Sequence, residues 1–139
     1  MSEIKKIKVI LEKGKDGYGV MYEDIDTVFG FGETVELAKE DAYIALNNYI
    51  DYLKETQRPI PEILQGQWEL EFSFDVQAML NYFSNVFTST ALSGITGINA
   101  SLIRQYAMGI KKPRKRQVEK METGLNSLGK ELETLKLAL

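Results

Sequence analysis

The sequence predicts an α+β fold: a β-β-β-α-β segment over residues 1–74, followed by an all-α segment over residues 75–139 that contains a helix-turn-helix. Three observations carry this expectation. Strand-like alternation appears at both ends of the first segment, in IKKIKVIL (Ile4–Leu11) and WELEFSF (Trp68–Phe74). Between them lies one helical stripe, Ala38, Ala42, Ala45/Leu46, Tyr49 and Leu53. From Asp75 onward the alternation stops and every apolar pattern has the helical period.

Taken in order, Ile7, Val9 and Leu11 alternate with Lys6, Lys8 and Ile10, which makes a first strand. GKDG (Gly14–Gly17) is a turn, and YGVMY after it is a second strand antiparallel to the first. TVFGFG (Thr27–Gly32) supplies a short third strand whose glycines suggest a bulge or close packing. Thr34 is the expected N-cap of a helix, with Glu36, Glu40 and Asp41 near the positive end of its dipole. Arg58-Pro59-Ile60-Pro61 stops that helix, because proline neither continues a helix nor leaves its predecessor free to do so. Trp68, Leu70, Phe72 and Phe74 then share one strand face against Glu69, Glu71 and Ser73, completing a mostly antiparallel sheet with the helix on one face.

The second segment reads as four helices. DVQAMLNYFSNVF (Asp75–Phe87) opens on an acidic cap and aligns Met79, Leu80, Phe83 and Phe87. TSTALSGITG forms a second helix ending at Gly97, and ASLIRQYAM a third, capped by Asn99 or Ser101 and ended by Gly109. Two short helices joined by a glycine-containing turn are the helix-turn-helix arrangement. Small Ser93 allows close approach of the helices, and Ile98, Ile103 and Tyr106 face the core. Asn99, Ala100, Ser101, Arg104 and Gln105 remain outward on the third helix. These residue types suit base edges: Arg for guanine, Asn or Gln for adenine, Ser for either, an alanine methyl for thymine.

Charge points the same way. The 139 residues carry a formal net charge of −3, yet Asn99–Arg116 holds six of the seventeen basic residues and no acid. Lys111, Lys112, Arg114, Lys115 and Arg116 follow the proposed reading helix, where they can meet backbone phosphates of double-stranded DNA. Residues 1–66 carry 8 basic and 13 acidic side chains, residues 67–139 carry 9 and 7, so the second half is the one suited to a polyanion.

In the last helix Val118, Met121, Leu125, Leu128, Leu132 and Leu135 recur at alternating intervals of three and four, a heptad seam. Val118, Met121 and Leu125 are expected to pack within the chain. Leu128, Leu132 and Leu135 exceed what a four-helix core needs and are candidate contacts of a homodimer or higher even oligomer. Gly124 and Gly129 are each expected to weaken this helix by about 1 kcal/mol relative to alanine.

Composition narrows the chemistry. With no cysteine there is no disulfide or thiolate, and with no histidine the commonest general acid/base and transition-metal ligand are missing. No stretch of ~18 apolar residues and no secretory pattern occurs, so a cytoplasmic protein without a membrane partner is expected. YEDID offers Glu23, Asp24 and Asp26 to a cation such as Mg²⁺, but a solvated loop between strands is the expected outcome. GFGETVELAKED lacks the third glycine and the Lys-Ser/Thr pair of a phosphate-cradling loop. No nucleophile elbow or zinc spacing is present. The expectation is a non-enzyme without cofactor or metal.

KVILEKGKDGYGVMYEDIDTVFGFGETVELAKEDAYIALNNYIDYL, followed by IPE, resembles the N-terminal domain of the HicB antitoxin family. The shared features are the strand, the DG turn, the second strand, the G-x-G-[DE]-T helix entry and the alanine-studded helix. LSGITGINASLIRQYAMGIKKPRKRQVEKMETGLNSLGKEL resembles the Xre-type helix-turn-helix of many HicB proteins, notably in TGIN, YA-x-G and KKPR. Ser93 departs from the usual alanine. The resemblance implies a bacterial type II toxin–antitoxin system. Residues 1–74 would be a partial ribonuclease H-like domain that blocks a small mRNA-cleaving HicA-like toxin. Residues 75–139 would bind the operon's own promoter, reading it with Asn99, Ser101, Arg104 and Gln105. Electrostatics adds Glu23, Asp24 and Asp26 as candidate contacts to a basic toxin. Two alternatives remain open: a solitary helix-turn-helix regulator whose N-terminal domain binds another protein or a small ligand, and a degenerate nuclease using Asp24, Asp26 and Asp41.

Overall fold

The structure is a computed structural model that describes residues 3–139. Its elements run β1 (Lys5–Lys13), β2 (Tyr18–Tyr22), β3 (Ile25–Gly32), α1 (Val35–Glu55), a 3-10 turn at Glu62–Leu64, β4 (Trp68–Phe74), then α2 (Val76–Tyr82), α3 (Ser89–Thr96), α4 (Ala100–Ala107) and α5 (Lys115–Glu133).

The sheet order is β3-β2-β1-β4. β1 pairs antiparallel with β2, Leu11 opposite Val20, and β2 pairs antiparallel with β3, Met21 opposite Phe29. β1 and β4 are parallel, Ile7 opposite Leu70. The direction of β4 follows from the connection: a helix returns the chain from the end of β3 to the start of β4, which obliges those two strands to point the same way. α1 is that crossover, and it covers one face of the sheet. Val35, Ala38, Ala42, Leu46, Ile50 and Leu53 are buried along it, and most pack with Ile7, Val9, Leu11, Val20 and Leu70 of the sheet. Each fully buried leucine or isoleucine here contributes about 1.5–3 kcal/mol relative to exposure. The buried stripe passes through Ile50, with Tyr49 only half-buried beside it.

Local signals set the ends of α1. The Thr34 side chain accepts the Leu37 N–H at 3.1 Å, and the helix stops at a Thr56 cap followed by Gln57 in the left-handed region. Gly32 is required by packing rather than by backbone freedom, since a Cβ there would overlap the backbone of Leu37 and Ala38. The Tyr22 hydroxyl donates to the Ala42 carbonyl inside the core. Burial, and the neighbouring Asp41 carboxylate after it, push the Tyr22 phenol up to about 12.

The expected sequel, a partial ribonuclease H-like domain followed by an all-α helix-turn-helix domain, is corrected. The described residues form an α+β fold with a four-stranded sheet and five α-helices; strands come first, then a helix, the last strand and the remaining helices. Among the described residues no all-α helix-turn-helix domain follows residue 74. The physical reason lies in the junction. β4 enters α2 without a linker: the Asp75 N–H donates to the Leu11 carbonyl, and Asp75 Oδ1 accepts the Ala78 N–H at 2.7 Å. Ala78 is fully buried in the core of the sheet. The chain therefore divides inside α2, one compact unit running to Ala78 and the other spanning Met79–Leu139.

α2 itself ends at Tyr82, shorter than the apolar spacing to Phe87 suggests, and hydrogen-bonded turns carry the chain to the Thr88 cap of α3. In the Met79–Leu139 unit, Leu80, Leu92, Ile98, Ile103, Tyr106 and Met121 are buried. Gly97 ends α3 in the left-handed region, where a Cβ would be strained. Gly124 lets α5 lie directly on the end of α3, because a Cβ there would stand 2.6 Å from the Ile95 carbonyl oxygen. The expectation that Gly124 merely weakens α5 is thus incomplete.

Candidate functional site

The basic run is built from the end of α4, a connecting loop and the start of α5. Ser101 and Arg104 are exposed on α4, and Lys111, Lys112, Arg114, Lys115 and Arg116 are exposed after it. None of these cations is paired with a carboxylate among the described residues. α5 has no acidic residue in its first turn, so Lys115 and Arg116 stand at the positive end of a helix dipole, the end that disfavours cations. Arg114, the N-cap, contributes no side-chain bond to the free N–H groups of that turn. Beside it, Arg116 and Lys120 line an open groove of ≈ 340 Å³ with Thr96, Thr123 and Glu119; the Thr96 hydroxyl is engaged, donating to the Leu92 carbonyl and accepting the Ile98 N–H. Unpaired cations and free backbone donors together make a surface suited to phosphate groups.

Two of the expected reading residues are placed differently from the rest. Asn99 Oδ1 accepts the Ser101 N–H at 2.8 Å as the cap of α4, which leaves its amide nitrogen and one oxygen lone pair for another partner. Gln105 is half-buried, and its Oε1 is buried without a hydrogen-bond partner, so the residue is not outward as the sequence suggests. Its neighbour Arg104 is exposed. Ala100 is half-buried.

Of the heptad residues, Met121 is buried, Leu125 and Leu128 are half-buried, and Val118, Leu132 and Leu135 are exposed. Val118 is only 37% exposed, so most of its side chain is covered within the chain. Leu135 lies beyond the end of α5 at Glu133, so the helical seam stops before it.

On the sheet unit, Glu23 and Asp24 form the turn between β2 and β3, and Asp26 follows on β3; all three are exposed. Asp41 is engaged, its Oδ2 accepting the Phe31 N–H at 2.8 Å. Among the described residues no group of three carboxylates, histidines or cysteines is placed to hold a metal ion, so Asp24, Asp26 and Asp41 do not assemble as a nuclease centre. No helix among the described residues is long and apolar enough to cross a membrane.

Sequence reasoning passed over one feature. Phe29, Phe31 and Met21 are exposed by 67%, 49% and 42% on the sheet face opposite α1. The signal lay in TVFGFG: when Gly30 and Gly32 face the helix, the period of two sends both phenylalanines outward.

Comparisons with protein families, with curated proteins and with solved structures give no match.

Proposed function

We propose that the protein is the antitoxin of a type II toxin–antitoxin system. In this reading the unit ending at Ala78 neutralises a HicA-like mRNA-cleaving toxin, and the Met79–Leu139 unit binds the double-stranded DNA of the operon's own promoter and represses it. The chain acts in the cytoplasm, catalyses nothing itself and needs no cofactor. It works as a homodimer or higher even oligomer joined through Leu128, Leu132 and the chain at Leu135.

Charge segregation is the observation that carries the reading. Residues 1–78 hold 8 basic and 16 acidic side chains, a net of −8, whereas residues 79–139 hold 9 and 4, a net of +5. The folded boundary thus separates the charges more sharply than the sequence halves do. An acidic unit suits a basic RNA-binding toxin, and a basic unit with unpaired cations suits nucleic acid. Ser101 and Arg104 are the residues assigned to bases, with Asn99 held at the helix start. Lys111, Lys112, Arg114, Lys115 and Arg116 are assigned to phosphates.

The test is a salt-titrated binding measurement on the DNA upstream of the gene. Arg104→Ala weakens binding by about 1–3 kcal/mol and relaxes specificity locally, as loss of a bidentate base contact does. Lys112→Ala weakens binding to all sequences and lowers the magnitude of the salt slope by about one unit. Binding unchanged in both variants sinks the DNA assignment. Neutralisation is tested separately by co-expression with the adjacent reading frame; a short basic product whose toxicity this chain does not relieve sinks the antitoxin assignment.

A further inference from the structure

The sheet face opposite α1 is divided across its width. On the β1–β4 side it is charged: Lys8 lies opposite Glu71 in register, and Lys6 pairs with Glu69 at 3.7 Å. On the β2–β3 side it is apolar. Met21 lies opposite both Ile10 and Phe29, which sets Ile10, Met21 and Phe29 in one row across three strands, and Phe31 lies opposite Gly19 in the adjoining row. Phe29 is two-thirds exposed, although large aromatics dominate the free energy of burial when they are covered. Scattered single apolar residues need no explanation, but adjoining aromatics in register mark an interaction surface.

We infer that this apolar half-face is the docking surface for a basic protein, with Phe29 and Phe31 as its anchors. The inference rests on the antitoxin reading of the sheet unit and states which of its surfaces the toxin covers. Charge complementarity selects the occupant. The row is bordered by Glu12, opposite Gly19, and by Glu23 and Asp24 in the turn directly after β2, on a unit of net charge −8. A second copy set on the same face would bring two such acidic borders together. A cationic partner neutralises them while its apolar centre covers the rings. Docking is by the face and not by an added strand at Phe31, since that edge N–H is already donated to Asp41.

The experiment titrates the full chain with the purified product of the adjacent reading frame. Phe29→Ser and Phe31→Ser are each expected to weaken the complex by roughly 30-fold or more, as loss of a central aromatic anchor does. Phe29→Lys weakens it further than Phe29→Glu, because the partner is basic, whereas Leu37→Ser and Ile44→Ser on the exposed side of α1 leave it unchanged. Circular dichroism checks that each variant folds, and Met21→Lys probes the same row if a phenylalanine variant does not. Tight wild-type binding that both serine variants retain to within about twofold overturns the inference and leaves the antitoxin reading standing. Absence of wild-type binding overturns the antitoxin reading and the inference with it. Wild-type self-association in sedimentation, abolished by Phe29→Ser, assigns the face to a second copy and also overturns the inference.

Discussion

The two units solve the same problem with unequal means. The sheet unit buries one continuous core between α1 and four strands, and its excess charge is negative. The helical unit buries few large side chains, relies on backbone close to backbone at Gly124, and carries unpaired positive charge. Like charges gathered on one body repel, and the folded state of each unit bears that cost. The contrast teaches that each unit holds an excess of one sign, even though Lys6 and Glu69 pair within the sheet unit. Each unit keeps its own charge excess.

The contrast can be broken or sharpened by mutation. The largest effect is expected in the sheet core, where Leu46→Ala removes a fully buried side chain of α1 and costs about 2–5 kcal/mol in chemical denaturation. A cost under 1 kcal/mol, about that of a surface site, would show that the core is looser than its burial implies. In the helical unit Gly124→Ala sets two terms against each other. Alanine favours the helix by about 1 kcal/mol, but its methyl meets a backbone carbonyl that cannot rotate aside. Steric overlap wins, and a net loss of about 1–3 kcal/mol is expected.

Tyr22→Phe removes the hydroxyl bonded to Ala42 and costs about 1 kcal/mol near neutral pH. Its pH dependence has a definite sign. The folded phenol is pushed from 10.0 to about 12, so its contribution is complete below the unfolded value and is lost as pH rises through the folded one. Urea unfolding at pH about 9 and about 11 should therefore show the wild type losing more stability than Tyr22→Phe; parallel losses would refute this assignment. The smallest effect is a gain. Gly129 has nothing near its missing Cβ, so Gly129→Ala should stabilise α5 by up to about 1 kcal/mol, opposite in sign to Gly124→Ala five residues upstream.

Much of the fold was legible because its signals are local. The alternation of Ile7, Val9 and Leu11, the caps at Thr34, Asp75 and Asn99, and the left-handed Gly97 are each set by a handful of neighbouring residues. The candidate site was legible in charge and less so in orientation. Arg104 and the cations from Lys111 to Arg116 are exposed as their pattern suggests, but Gln105 turns toward the interior and Asn99 spends its oxygen on the cap. The Phe29–Phe31 face was not read, because an apolar residue in a strand is expected to be covered, and which face a helix covers is decided by the crossover.

The sequence by itself determined the strands, the helices and their caps, and the opposite charge excesses, because these depend on residues within a few positions of one another. Only the tertiary structure decided that β4 runs parallel to β1, that the division falls within α2 at Ala78, that Gly124 is a contact and not a defect, and that one half of the open sheet face is apolar. Each of those depends on groups far apart in the chain meeting in space. Their positions follow from the path of α1 across the sheet and from the approach of α5 to α3, which no local period encodes.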